Sequence, residues 1–509
     1  MAALCAGTPW THCAAGDRYV VKGNPGAAAP YESWATAAGD IQTAVDAAAE
    51  GKSVRVRSSA RWPFLAQRSY RSAGETVWVR AGVYDAGGKS DVIWRAKLTN
   101  RVAIAKSIVV RSENNDPANT IIKGAWSADG CTNGPGAVRC AYVADGAALI
   151  GFTLAGGATL TTNEAWADNS DRSGGGVYAQ SSMAVISNCI ITGNSAFGDR
   201  GGTARGGGGA CGGKFFNCVF TSNTTPFRGG GADHVILFNC VLSGNSAAMS
   251  GGGVHVGALY GCVVSNNTTS GSGGGLTGWS AADPCKAYDS DIIANRAGED
   301  GGGAASHTAL ANCRINFNKA ATTGGGANNA SLIDCELIGN RTDQSGGGAY
   351  GCSLRNCTLA FNVAAAWGGG ANASSLNNCL IYGNQAGEAG GVYGASLNSC
   401  TVVGNYAARA GGVAYYGSNA NVISSIIYSN QVSGDYPNWC GSGISFTNSC
   451  TFPANAAWSA GNTTNDPCFI AYGAGYGTNH VPGDYRLASN SPCASAGFKR
   501  EHLVRKKQR

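Results

Sequence analysis

Hydrophobic and polar positions recur along this chain at a fixed interval. Taken from a cysteine as origin, Cys189, Cys218, Cys240, Cys262, Ser290, Cys313, Cys335, Cys357, Cys379, Cys400 and Ser425 mostly fall 21 to 23 residues apart. Two positions on, the residue is always apolar: Ile191, Phe220, Leu242, Val264, Ile292, Ile315, Leu337, Leu359, Ile381, Val402 and Ile427. Three positions back it is nearly always apolar as well, as at Phe215, Leu237, Leu259, Leu310, Leu332, Leu354, Leu376 and Leu397. Alternate apolar positions predict short strands with one face turned inward, and no part of the repeat has a helical period. A degenerate copy around Phe152 extends the array to twelve. About 22 residues suits one turn of a β-solenoid, whose coils hydrogen-bond to their neighbours and share one core. At about 4.8 Å per coil, twelve coils make a rod of roughly 58 Å.

Five residues after the cysteine the chain always has asparagine: Asn194, Asn223, Asn245, Asn267, Asn295, Asn318, Asn340, Asn362, Asn384, Asn405 and Asn430. An asparagine stacked at one corner of every coil can satisfy turn backbone groups above and below it. A glycine triplet marks a second corner, where the chain must bend without Cβ clashes through positive φ. The cysteine is expected to fill the core as a small apolar residue. The stacked cysteines should stay unpaired, because parallel neighbours sit about 4.8 Å apart, beyond disulfide reach. Outside the array, Cys5 with Cys13, Cys131 with Cys140, Cys440 with Cys450, and Cys468 with Cys493 are plausible disulfides suited to an oxidising compartment.

The organisation read from the pattern is an N-terminal segment and capping helix over 1–54 and a basic insertion over 55–75. A parallel β-helix follows over 76–430, then an irregular cap over 431–498 and a basic tail over 499–509. Residues 40–51 predict a short amphipathic helix with Asp40 as N-cap, Ile41, Ala44, Val45 and Ala48 on one face, and Gly51 as terminator. That helix is placed to plug the open end of the solenoid, and 76–84 and 108–112 read as its first strands.

Composition fits a periodic fold: 78 of 509 residues are glycine and only 13% are charged. The net charge of +6 sits almost wholly in the last eleven residues, where Lys499, Arg500, Arg505, Lys506, Lys507 and Arg509 oppose Glu501. A short terminal basic run without interleaved aromatics argues against nucleic-acid binding. No apolar run is long enough for a transmembrane helix, and the opening residues do not read as a complete signal peptide.

The alternation of glycine clusters with Cys-x-apolar-x-x-Asn, as in GGGAD (229–233), NCVFTSN (217–223) and GGGANNASLIDCELIGN (324–340), resembles the repeat of polymorphic outer membrane proteins. More broadly it is similar to the right-handed parallel β-helix proteins of the pectate-lyase-like class. The resemblance implies an all-β, right-handed parallel β-helix at the cell surface or outside the cell. Outer membrane members of that group carry a C-terminal β-barrel, for which no room or alternating pattern is read here. The same rod serves adhesins, polysaccharide lyases and glycoside hydrolases, so the fold leaves the function open.

Two outward columns are candidates for chemistry. One position after the cysteine, Asp291, Arg314 and Glu336 follow on consecutive coils, with Asp289 and Asp334 beside Asn312. If the chain is a lyase, Arg314, Asp291 and Glu336 are the catalytic candidates, and Asp289, Asp291, Asp334 and Glu336 are the oxygen ligands a calcium ion would use. Otherwise the same residues make a charge ladder between strands. No cofactor other than calcium is suggested. After each glycine cluster comes a second column: Tyr178, Cys211, Asp233, His255, Thr277, Ala305, Asn328, Tyr350, Asn372 and Tyr393. From it Tyr178, His255, Tyr350 and Tyr393 are the candidate ligand-binding residues, since sugar rings stack on aromatic faces. His234, His255 and His307 fall at different offsets after the glycines, which argues against a metal column. The function expected from the sequence is a non-catalytic, adhesin-like surface protein that binds polysaccharide or partner proteins. The alternative is a polysaccharide lyase or glycoside hydrolase, which would gather its unusual residues on a few coils beside a long loop.

Overall fold

The computed structural model describes residues 16–50, 74–93, 96–161, 169–199, 205–434, 437–454 and 461–494. They form a right-handed parallel β-helix. The coil that holds the Asn340 corner shows the plan: strands Ala327–Asn328, Ser331–Ile333, Glu336–Ile338 and Arg341–Thr342 each pair in parallel with their counterparts one coil away. The sheet that contains Glu336–Ile338 has fifteen strands, a rod of roughly 67 Å at about 4.8 Å per step. It is longer than the regular repeat predicts, because strands at both ends keep the stacking after the sequence signature has faded.

At the leading end, Arg18–Val20 pairs with Thr76–Val79, a rung the sequence pattern does not reveal. The helix spans Ile41–Ala47, with Asp40 accepting from the Thr43 N–H; Ala48, not Gly51, ends it. Ile41, Ala44, Val45 and Ala48 join the same core as the first rungs. The basic insertion lies almost wholly outside the described residues, as do Cys5, Cys13 and the basic tail. At the other end the parallel stacking runs past residue 430, with Trp439–Thr447 on Val413–Ile423 and Cys450 on Ile426. Beyond it a short antiparallel pair, Phe469–Ala471 with Asp484–Leu487, packs Phe469 and Cys493 against Val403, Ile426 and Cys450.

The core consists of the in-register columns read from the sequence. Ile191, Phe220, Leu242, Val264, Ile292, Ile315, Leu337, Leu359, Ile381, Val402 and Ile427 are fully buried. The asparagines form one continuous hydrogen-bonded stack. Asn340 Oδ1 accepts from the Asn318 N–H at 2.9 Å and from Asn318 Nδ2 at 3.1 Å, while its own Nδ2 donates to the Ile315 carbonyl and to Asn362 Oδ1. The stack closes on Asn438, which accepts from Asn430.

The glycine triplet answers two needs. Gly324 has φ +65°, while a Cβ on Gly325 or Gly326 would meet carbonyl oxygens of the next coils at 2.4 to 2.5 Å. Only the first position is about φ, and alanine takes it at Ala389 and Ala410.

The cysteine column is more than apolar filling. Cys335 Sγ lies 3.2 Å from the Ile333 carbonyl two residues back, and Ser290 and Ser425 make the same bond with a hydroxyl. Each serine also accepts the N–H of the preceding coil's cysteine. That dual bonding explains why serine replaces cysteine there. The described cysteines are free thiols. Cys440 meets the Tyr416 hydroxyl and packs with Ala389, Ala410 and Ala414, whereas Cys450 lies in a separate cluster beside Cys493, which together with burial pushes its thiol up, so the expected Cys440–Cys450 partners do not sit together.

Candidate functional site

The residue before each column cysteine adopts a left-handed conformation, with φ from 46° to 63° at Asn188, Asn217, Asn239, Gly261, Asp289, Asn312, Asp334, Asn356, Asn378, Ser399 and Ser424. Asparagine, aspartate and glycine tolerate that region best, so Asp289 and Asp334 are corner residues. Their carboxylates accept from Asn312 and Asn356 on the neighbouring coil. Asp291, Arg314 and Glu336 do stand in register on the adjoining sheet, and Asp291 takes the Arg314 guanidinium in a two-point ion pair that leaves the Arg314 side chain 58% exposed. The four acids therefore do not converge as a calcium site. They serve two separate lateral ladders on an open face.

The second column is in register as expected but is covered for much of its length. Asp233, His255, Thr277, Asn328 and Asn372 are buried, and Tyr178, Tyr350 and Tyr393 are half-buried. Cys211, between Tyr178 and Asp233, is buried too, and burial pushes its thiol up to about 12. The tyrosines do not gather around His255: Tyr178 stacks on Tyr142 and Tyr393 on Trp367.

What the column does bring together is a carboxylate and two imidazoles. Asp233, on strand Ala232–Phe238, pairs directly with His255 on Val254–Tyr260. Its Oδ1 accepts from His255 Nδ1 at 3.0 Å and from His234 Nδ1 at 2.6 Å, and its Oδ2 accepts the Gly206 N–H at 2.7 Å. His234 reaches the same oxygen because φ +55° at this residue breaks strand alternation and turns its ring back toward Asp233. Burial opposes ionisation of Asp233, but His255 and His234 outweigh it and hold the carboxyl well below the usual carboxylate range. With both Nδ1 atoms engaged by Asp233, each ring keeps Nε2 for another partner; that of His255 is buried and has no hydrogen-bond partner.

Among the described residues, Asp233, His234 and His255 are the one group of three such side chains whose donor atoms lie within 4.8 Å of one another. Two imidazoles and one carboxylate suit a transition metal better than calcium, which takes oxygen ligands. Without an ion, the same arrangement is a carboxylate that orients two imidazoles, a geometry that can serve general-base chemistry.

The cluster lines a cavity of about 270 Å³ together with Asp199, Arg205, Phe227, Arg228, Trp279 and Asp283. A second depression of about 500 Å³ adjoins it through Arg205, His234 and Asp283 and adds Lys286. Trp279 belongs to the loop that lengthens one coil to 28 residues between Cys262 and Ser290; it is 49% exposed and lies under the Arg228 guanidinium at 4.1 Å. Arg205 borders the other lengthened coil, between Cys189 and Cys218. The unequal histidine offsets concealed the cluster in the sequence. The usable signal was the direct succession of Asp233 and His255 in one column beside two inserted loops.

No protein-family model and no curated protein matches this chain. Solved structures resemble it at low identity. The A-module of Azotobacter vinelandii mannuronan C-5 epimerase AlgE6 is 12% identical over 73% of this chain and 90% of its own, with a TM-score of 0.28. The PL6 family alginate lyase AlyGC is 8% identical over 84% of this chain and 54% of its own, at 0.33. The Dettilon tailspike protein is 14% identical over 68% and 62%, at 0.30. These likenesses concern the fold and carry nothing about the site. Among the described residues, no helix is long and apolar enough to cross a membrane.

Proposed function

We propose that this protein binds an acidic polysaccharide in the groove formed by residues 205–286 and transfers a proton at the sugar carbon that bears the carboxylate, as a uronan lyase or epimerase does. The observation that carries this reading is one buried carboxylate shared by two imidazoles in a cavity bordered by Arg205 and Arg228 as well as by Asp199 and Asp283. Removing a proton alpha to a carboxylate needs a base near neutrality and positive charge on the carboxylate. His234 and His255 offer Nε2 as the base, Asp233 fixes their tautomer, and Arg228, Arg205 and Lys286 supply the charge. Trp279 offers an exposed ring for the sugar face. A polymeric substrate of this kind would be met at the cell surface or outside the cell.

Incubation with alginate and polygalacturonate in deuterated buffer tests this reading. Unsaturated uronate absorbance reports elimination, and deuterium entering the sugar reports proton exchange without cleavage. Loss of either signal in His234→Ala and in His255→Gln supports it. Absence of both signals in the wild type, with no binding, removes it. Binding without turnover is the second reading, the adhesin-like role expected from the sequence. It is favoured by the uniform serine column Ser331, Ser353, Ser375 and Ser396, part of which lines a shallow depression of about 410 Å³.

A further inference from the structure

Two lines of residues flank the glycine corner from the proposed site toward the far end of the rod. On one flank Arg228 pairs with Ser250 and Ser250 with Ser272; Asp300 comes next, and the line goes on as Thr323, Ser345, Trp367 and Glu388. On the other, Asp233 is followed by His255, Thr277, Ala305, Asn328, Tyr350, Asn372 and Tyr393. The stretch between is polar but largely covered, with Ser250, Ser272 and Thr323 half-buried and Thr277, Asn328, Ser345 and Asn372 buried, and its one carboxylate in line, Asp300, is engaged by Thr322 and Thr323.

The track ends on aromatic rings. Trp367 is 47% exposed and stacked on Tyr393 at 5.7 Å with an interplanar angle of 23°. Next along the edge come Glu388, Arg409 at 3.9 Å from it, and Tyr416, 42% exposed beneath the Arg409 guanidinium. A broad exposed indole edged by a carboxylate, a guanidinium and a phenol is the combination that holds a pyranose ring, with the face for its C–H groups and the edges for its hydroxyls.

We infer that Trp367 and Tyr393 form a second saccharide-binding platform, six and seven rungs and about 29 to 34 Å from Asp233 along the rod, which holds a distal part of the same polysaccharide chain. This rests on the proposed function of the groove and adds to it: the ligand is an extended polymer lying parallel to the rod, and short oligomers fill only the groove. The two ends bind by different physics. Contacts at Arg228, Arg205 and Lys286 are ionic and weaken with salt, whereas stacking on Trp367 does not.

The test measures binding of high-molecular-weight alginate and of alginate trimer to wild type and to Trp367→Ala, at low and high salt. The variant is expected to bind the polymer about fivefold to tenfold more weakly, the worth of one good aromatic contact, with trimer binding unchanged. The residual polymer binding of the variant should also become more salt-sensitive than that of the wild type. Trp367→Phe, which keeps a ring face, should recover most of the loss. Equal loss for polymer and trimer, or no loss for either, overturns the platform. If the wild type binds neither length, the reading of the groove fails first and the platform falls with it.

Discussion

Replacing Asp233 with asparagine tests the site without changing its shape. The carboxylate, 1% exposed, accepts from two imidazoles and one backbone N–H. An amide oxygen cannot serve all three, and its NH₂ turns a donor toward imidazole N–H groups that already need an acceptor. Hydrogen bonds to charged groups contribute about 1.5–3 kcal/mol each, and removing one partner of a buried ionic group costs about 3–5 kcal/mol. The expected loss at neutral pH is therefore about 3–5 kcal/mol, read from chemical denaturation of the full chain. The pH dependence has a definite sign. A carboxyl held below its usual range contributes stability that is fully present above its unfolded-state value, near ~4, and is lost as pH falls through the lower folded-state value. The gap between wild type and Asp233→Asn should thus be full above about pH 4 and close in more acidic solution. If base catalysis is the function, uronan turnover should fall about 10²- to 10⁴-fold in the same variant. A variant within about 1 kcal/mol of wild type at neutral pH, or a gap that widens on acidification, would show that Asp233 is not the charged centre described above.

Other substitutions separate scaffold from site. Asn340→Ala removes the acceptor of the buried Asn318 N–H and a donor to the Ile315 carbonyl, so it should cost about 2–4 kcal/mol in denaturant melts, where a loss under about 0.5 kcal/mol would contradict the stack's role. Cys335→Ser should stay within about 1 kcal/mol of wild type because Ser290 and Ser425 already make both bonds, whereas Cys335→Val, which makes neither, should lose about 1–3 kcal/mol. Arg314→Ala breaks an exposed ion pair worth about 0.2–1 kcal/mol and should leave uronan binding and turnover unchanged; a clear loss of either would move the site to that face. Treatment with glutathione disulfide should join Cys450 to Cys493, detectable as a linked peptide by mass spectrometry, and a Cys468–Cys493 link would restore the pairing expected from sequence.

The β-helix was legible because its determinants repeat. Each column of apolar residues, asparagine or cysteine is one position seen many times, so chance matches cancel. Asp289 and Asp334 were misread although their signal was in plain view: the place before the cysteine is filled by Asn, Asp, Gly or Ser in coil after coil, the mark of a left-handed corner. Their charge attracted attention that their backbone position should have claimed. Arg314 and Asp291 left a site and a charge ladder both open, and the structure shows the ladder. Outward charges on a flat sheet satisfy one another laterally, and no sequence pattern distinguishes a ladder from a cleft. His234 escaped because strand alternation places neighbouring residues on opposite faces, and a positive φ at a single residue suspends that rule.

The position of the cluster follows from the conflict between periodicity and function. Identical coils give every rung the same surroundings, so a repeat alone cannot build a concave, chemically distinct place. Here the two most regular coils of the region, those of Cys218 and Cys240, supply the register that sets Asp233 beside His255. The lengthened coils on either side supply what register cannot: Arg205 from one, and Trp279 with Asp283 from the other. The stacked strands therefore fix the hydrogen bonds within the cluster, and the inserted loops fix what can approach it. Changes in the Trp279 loop should alter which polymer is held, while the His–Asp–His geometry stays under the control of the ladder, where a parallel sheet tolerates little movement.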